Sequence, residues 1–283
     1  MPRSLARPSF REVDHATVAS IAPELADVPI EYIRQHLARQ SNEMIAAVNL
    51  LSIPSSLPKT HLPSSLDAPV RPSSSAPSSA AFPTHLLAVS SSRGAPSTPN
   101  TPTVASFAAQ MAASHTCALY PTHSLVLAAH CAALPSLPPS RPSNKSTSVT
   151  LPIVPLTVPD ASTFPHLHAY LHTKRADTLL AALLPCLAAH IPAPSAASSS
   201  AARGYVAQFS QEKLSRLAQT LVSAVYSQAG SQGALQMLMA YAKVVTNLWK
   251  NTCAFGIYDT ELWGVIDLTY ETILSALNRV ARQ

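Results

Sequence analysis

The residues best equipped for chemistry in this chain are histidine and cysteine, and they concentrate in HSLVLAAHCAAL, which runs from His123 to Leu134. With Cys117 just upstream, His123, His130 and Cys131 offer imidazole and thiolate groups of the kind that bind zinc. Their spacing argues against that use. His130 and Cys131 are consecutive, so on a helix their side chains diverge by about 100°, and no C-x-x-C or H-x₃₋₅-H frame completes a tetrahedron. His168 and His172 lie four apart in FPHLHAYLHTK and share a helix face, a metal-capable spacing. Ala169 and Tyr170 nevertheless follow His168, where a zinc protease would carry its glutamate. The expectation is no metal and no cofactor: a buried helix with satisfied histidines, with a metal-dependent or nucleic-acid-binding regulator as the alternative.

Other catalytic signatures are missing as well. There is no G-x-S-x-G elbow, and residues 95–203 contain no glycine that could cradle a phosphate. No enzymatic activity is expected. Thr98-Pro99 and Thr101-Pro102 sit in a serine- and proline-rich stretch and could accept phosphate there. Trp249, Phe255, Tyr258, Trp263 and Tyr270 could anchor a protein partner, because aromatic side chains give large contact area at low entropy cost. The competing reading for those five is a helical core.

Charge and cysteine usage narrow the partners. Formal charge is −1 over residues 1–50, +4 over 51–200 and +2 over 201–283, with no dense basic run, so direct nucleic-acid binding is not expected. The four cysteines, Cys117, Cys131, Cys186 and Cys253, are widely separated, which suits reduced thiols inside the cell. MPRSLARPSFREVD has no apolar core of signal-peptide length, and no apolar run is long enough to span a membrane. The expected location is the nucleus, the cytoplasm or both.

The elements that must position these residues alternate with proline- and serine-rich stretches, 26 prolines standing against 6 glycines. Residues 1–52 read as an N-terminal helical segment, in which Ile30, Ile33, Leu37, Met44, Ile45, Val48 and Leu51 fall near one helix face behind Pro29. Residues 53–80 read as a disordered linker. Residues 81–190 read as a mixed α and β core with flexible insertions near 91–103 and 135–149. Within it VTLPIVPLTV is strand material, confined to a sheet edge by Pro152, Pro155 and Pro159. A linker at 191–203 leads to an antiparallel helical bundle at 204–283, with breaks at Gly230 and Gly256 and a capping Asp259. Its faces are Leu214, Leu217, Leu221 and Val225, then Leu235, Leu238, Ala242, Val245 and Trp249, then Trp263, Ile266, Tyr270, Ile273, Leu277 and Val280. The fold class is α+β.

Two resemblances rest on particular residues. His123, Val126, Leu127, Ala128, Ala129 and Cys131, followed by Phe164, Leu167, Tyr170 and Leu171, resemble the core motif of the BTB/POZ interaction fold. That resemblance implies a strand end leading into a buried helix, a second helix farther on, and a potential to homodimerise. The sequence departs from the pattern at Leu134, usually aromatic, at His172, usually tyrosine, and at Lys174, usually glycine. Over most of its length, through FPTHLLAVS, YPTHSLVLAAHCAALPSLPPS, LPIVPLTVPDASTFPHLHAYLHTKRADTLLAALLP and VVTNLWKNTCAFGIYDTELWGVIDLTYETILSAL, the chain resembles the Clampless-type proteins of basidiomycete fungi. This second resemblance implies a regulator of sexual development and clamp-cell formation downstream of mating-type homeodomain factors. The expected function is a non-enzymatic adaptor whose partners are proteins, such as transcription factors or cell-division regulators, and not membranes.

Overall fold

The computed structural model describes residues 2–72, 78–92, 115–140, 144–145, 147–194 and 204–282. Thr98, Thr101 and most of the insertion near 91–103 lie outside them, as do residues 195–203 of the expected linker. The architecture is α+β, as the sequence predicts, and it divides into two compact units. One comprises residues 12–165 with 171–173, the other residues 1–11, 166–170 and 174–283. Among the described residues no helix is long and apolar enough to cross a membrane.

The first unit is built on a sheet. Asp14 caps α1 (His15–Ile21) by accepting the Ala16 N–H, and Pro29 precedes α2 (Ile30–Leu50), whose Ile30, Ile33, Leu37 and Met44 are buried as the helical spacing predicts. The strands are β1 (Ser56–Pro58), β2 (Ser65–Pro69), β3 (His85–Ser91), β4 (Thr116–Thr122), β5 (Asn144–Lys145) and β6 (Ser148–Val158). They run in the order β1-β4-β3-β6-β2, with β5 added to β6. All pairs are antiparallel except β3 with β6. Helix α3 (Ser124–His130) follows β4 directly, and α4 (Phe164–Thr173) follows β6.

Two features differ from the sequence reading. The stretch at 53–80 carries β1 and β2, one at each end of the strand order. Leu57, Leu62 and Leu66 pack against a core of Leu86, Ala88, Leu119, Val149, Leu151 and Ile153. Too few apolar residues mark such short edge strands for a periodicity to show, and their prolines fall at strand ends, where one is tolerated.

The second difference is β6, which is interior. Its β2 ladder covers Ser148–Pro152 and its β3 ladder Ile153–Val158. The Ile153 N–H points to Ser64, on the β2 side. Because N–H direction alternates along a strand, the N–H missing at Pro155 would face beyond the end of β2, and that missing at Pro152 would face β3 before its ladder begins. Each proline thus removes a donor where no partner waits, and the edge rule does not apply.

The second unit is helical. It holds α5 (Ala176–Leu183), α6 (Gln211–Ala254) and α7 (Thr260–Val280), and α6 packs along α7 through the short connection at 255–259. The break expected at Gly230 is present: α6 consists of two helical stretches divided there by non-helical backbone with φ 67° and ψ −178°. Gly256, φ 61°, ends α6; the Ile257 N–H reaches back to the Thr252 carbonyl in the manner of a glycine-terminated helix. Leu214, Leu217, Leu221 and Val225 are buried as predicted. Farther along, the buried stripe is Ala234, Leu238, Ala242, Val245 and Leu248, which leaves Leu235 half exposed and Trp249 only partly covered. Leu238, Ala242 and Val245 are thus buried as predicted, and the stripe departs from the pattern read from the sequence at its two ends, with Ala234 in place of Leu235 and Leu248 in place of Trp249.

Candidate functional site

In the sheet unit, β4 delivers the chain to α3, with His123 at the entrance and Cys131 just past the end. Val126, Leu127, Ala128, Ala129 and Cys131 are all buried, as the V-L-A-A reading expects. Cys117, on β4, is part of the apolar core, and burial pushes its thiol up. The His123 Nε2 donates to the Ala81 carbonyl at 2.9 Å, and its backbone N–H donates to the His172 Nε2 at 3.4 Å. The two rings lie 5.4 Å apart between centroids, so the fold brings together histidines from the two motifs, a pairing that local spacing could not reveal. Burial holds His123 below its ordinary pKa, partly offset by the Ala81 carbonyl, and this favours the neutral ring. Among the described residues no group of three or more histidine, cysteine, aspartate or glutamate side chains is placed to hold a metal ion.

Phe164, Leu167, Tyr170 and Leu171 of the second motif are also buried. Tyr170, in the helical unit, donates from its hydroxyl to Asp259 Oδ1 at 2.9 Å, and the Lys174 ammonium reaches Asp259 Oδ2 at 2.8 Å. The same carboxylate caps α7 by accepting the Glu261 and Leu262 N–H groups, both at 3.0 Å. Burial alone would raise the Asp259 pKa, but the Lys174 charge and these hydrogen bonds outweigh it and hold the group at about 2. Burial and the neighbouring carboxylate drive the Tyr170 hydroxyl far above its usual range, so it stays a donor. The cluster fixes a helix start and has the character of structural support.

The five aromatic residues singled out for partner binding all lie in the helical unit. Trp263, Tyr270 and Phe255 are buried, Trp249 is partly covered, and Tyr258 is 42% exposed. Trp263 donates its indole N–H to the Ile257 carbonyl at 3.0 Å. Four of the five meet the N-terminal residues of the chain. Trp249 Nε1 donates to the Ala6 carbonyl at 2.8 Å and the Tyr270 hydroxyl to the Pro2 carbonyl at 2.9 Å. Arg7 pairs with Asp267 and sits over the Trp263 ring, 5.8 Å from its centroid. Phe10 meets Tyr258 edge to face at 4.7 Å. Residues 2–10 form neither helix nor strand, and Leu5 among them is buried. The aromatic residues were legible in the sequence; the segment that covers them was not, because it has no periodicity and lies more than 240 residues away.

Comparison with known proteins adds to this geometry. Neither the curated proteins nor the solved structures give a match, and a BTB/POZ likeness is not shown. Two family models do match: the Clampless protein 1 N-terminal domain over residues 8–159, and the Clampless protein 1 C-terminal domain over residues 177–283. With the sheet-bearing stretch and the helices after it each covered by its own model, the chain belongs to the Clampless protein 1 family.

Proposed function

We propose that the chain is a non-enzymatic regulatory adaptor that serves clamp-cell formation in fungal sexual development by binding other proteins. Its partners would be transcription factors or cell-division regulators in the nucleus or cytoplasm. Family membership supports the developmental role. The mechanism rests on one observation: the α6–α7 face holds a polypeptide segment that is neither helix nor strand, donating to its main-chain carbonyls from Trp249 and Tyr270 and meeting its side chains through Asp267 and Tyr258. Aromatic and carboxylate groups on a rigid helical frame are what peptide recognition uses.

The test is complementation of a strain that lacks the gene with the full chain carrying Asp267→Lys and Tyr258→Ala. Both side chains are about 42% exposed, so the helices should keep their circular dichroism. Clamp formation is expected to fail, and the proteins recovered with the wild-type chain should be missing. Full complementation with an unchanged set of partners would remove this face from the model.

A further inference from the structure

The contacts of residues 2–10 have the form of a ligand in a site. Two are hydrogen bonds from side chains of the helices to main-chain carbonyls, Pro2 and Ala6, which recognise a backbone whatever its side chains. Two are side-chain contacts three residues apart: Arg7 on Asp267 and over Trp263, and Phe10 on Tyr258. A guanidinium over an indole and against a carboxylate is selective for arginine, and an edge-to-face pair is selective for a ring. Charge agrees, since residues 2–11 carry Arg3, Arg7 and Arg11 and no acid, whereas α7 carries Glu261, Asp267 and Glu271.

The same contacts hold the segment weakly. The side chains of Arg7 and Asp267 are 45% and 42% exposed, so water screens their pair. Phe10 is 63% exposed, and no helix or strand bond ties the segment down. Among residues 2–10 only Leu5 is buried, and the tether adds a high effective concentration to these few contacts.

We propose that the face built by Trp249, Tyr258, Trp263, Asp267 and Tyr270 is a receptor for a peptide segment of a partner protein that carries an arginine and, three residues on, an aromatic ring, and that residues 2–10 occupy this receptor in cis as a displaceable stand-in. The proposal rests on the adaptor reading above and adds the chemistry of the partner and a built-in competitor. A partner peptide must displace the segment, so binding is restrained until the partner is abundant or the segment is pulled away.

The experiment uses the full chain with Arg7→Glu and Phe10→Ala, which weakens the stand-in and leaves the receptor intact. The probe is a fluorescein-labelled peptide with the sequence of residues 1–13, followed by anisotropy. The variant should bind it roughly ten-fold or more tightly than the wild-type chain does, because the tethered competitor is gone. A probe carrying Arg7→Glu should bind neither chain, and adding Asp267→Lys to the variant should abolish binding. A variant that keeps its helical circular dichroism but binds the probe no better than wild type would overturn the proposal. So would a variant that loses its helices, since the segment would then be an integral part of the fold. A wild-type dimer that dissociates on Arg7→Glu and Phe10→Ala would overturn it in favour of segment exchange between two copies. The probe needs no cellular partner, so probe binding with intact clamp formation in the receptor mutant would sink the adaptor reading alone, while clamp failure without probe binding would sink this one alone.

Discussion

Lys174 holds a left-handed backbone, φ 54°, while its ammonium serves Asp259. A non-glycine residue there costs about 1 kcal/mol, and the ion pair with Asp259, its side chains only 20% and 18% exposed, offsets it by about 2 kcal/mol. Lys174→Met should therefore destabilise the helical unit by about 2 kcal/mol, and Lys174→Gly by about 1 kcal/mol less, because glycine removes the backbone cost along with the charge. Urea denaturation of the two variants reads that difference; equal losses would show that the backbone carries no strain. Asp259 adds a pH dependence. Its folded pKa of about 2 lies below the ordinary 3.8, so its contribution is complete above pH 4 and is lost as pH falls from there toward 2. His123 acts in a different window. Burial depresses its pKa below 6.5, so the unfolded chain takes up the proton first and the sheet unit loses stability as pH falls through 6.5. Melting temperature measured from pH 7.5 to 5 should drop, and His123→Gln, which keeps a donor toward Ala81 but does not titrate, should flatten the slope.

At the scale of elements, Gly230 and the prolines of β6 show what local residue rules can and cannot deliver. Gly230 was readable as a helix breaker, and its φ of 67° with ψ near 180° is a region that in practice only glycine occupies. A Cβ added there would meet nothing within 4 Å, so the penalty for Gly230→Ala is purely conformational, about 1–3 kcal/mol. Loss of thermal stability of that size is expected; an unchanged melt would mean that the helix straightens at no cost. β6 marks the limit of such rules. Pro152 and Pro155 argue for an edge until the two ladders are known to divide the strand between them. Which neighbour a missing donor faces is a property of pairing over 60 or more residues of sequence, and composition does not carry it. The same holds for β1 and β2, whose few apolar residues resemble the linker around them until the core they cover is seen.

The whole molecule is two densely connected units, with the N-terminal 11 residues belonging to the helical one. Helical periodicity, caps and glycine breaks made the C-terminal helices legible, and V-L-A-A packing around Leu127 was legible for the same local reason. The N-terminal segment and the meeting of His123 with His172 depend on long-range pairing and were not. Leu127 tests what the division into units means for stability. It lies at 2% exposure on α3 inside the sheet unit, and Leu127→Asp leaves an unpaired carboxylate there at a cost on the order of 4 kcal/mol. Leu127 lies in a different compact unit from α6 and α7, and densely connected regions open as separate cooperative blocks. Hydrogen exchange on this variant should therefore show amides of β3, β4 and β6 losing protection while those of α6 and α7 keep theirs. Uniform loss across both units would mean that the chain unfolds as one cooperative body, and that an interaction bound by the helices would be felt directly by the sheet.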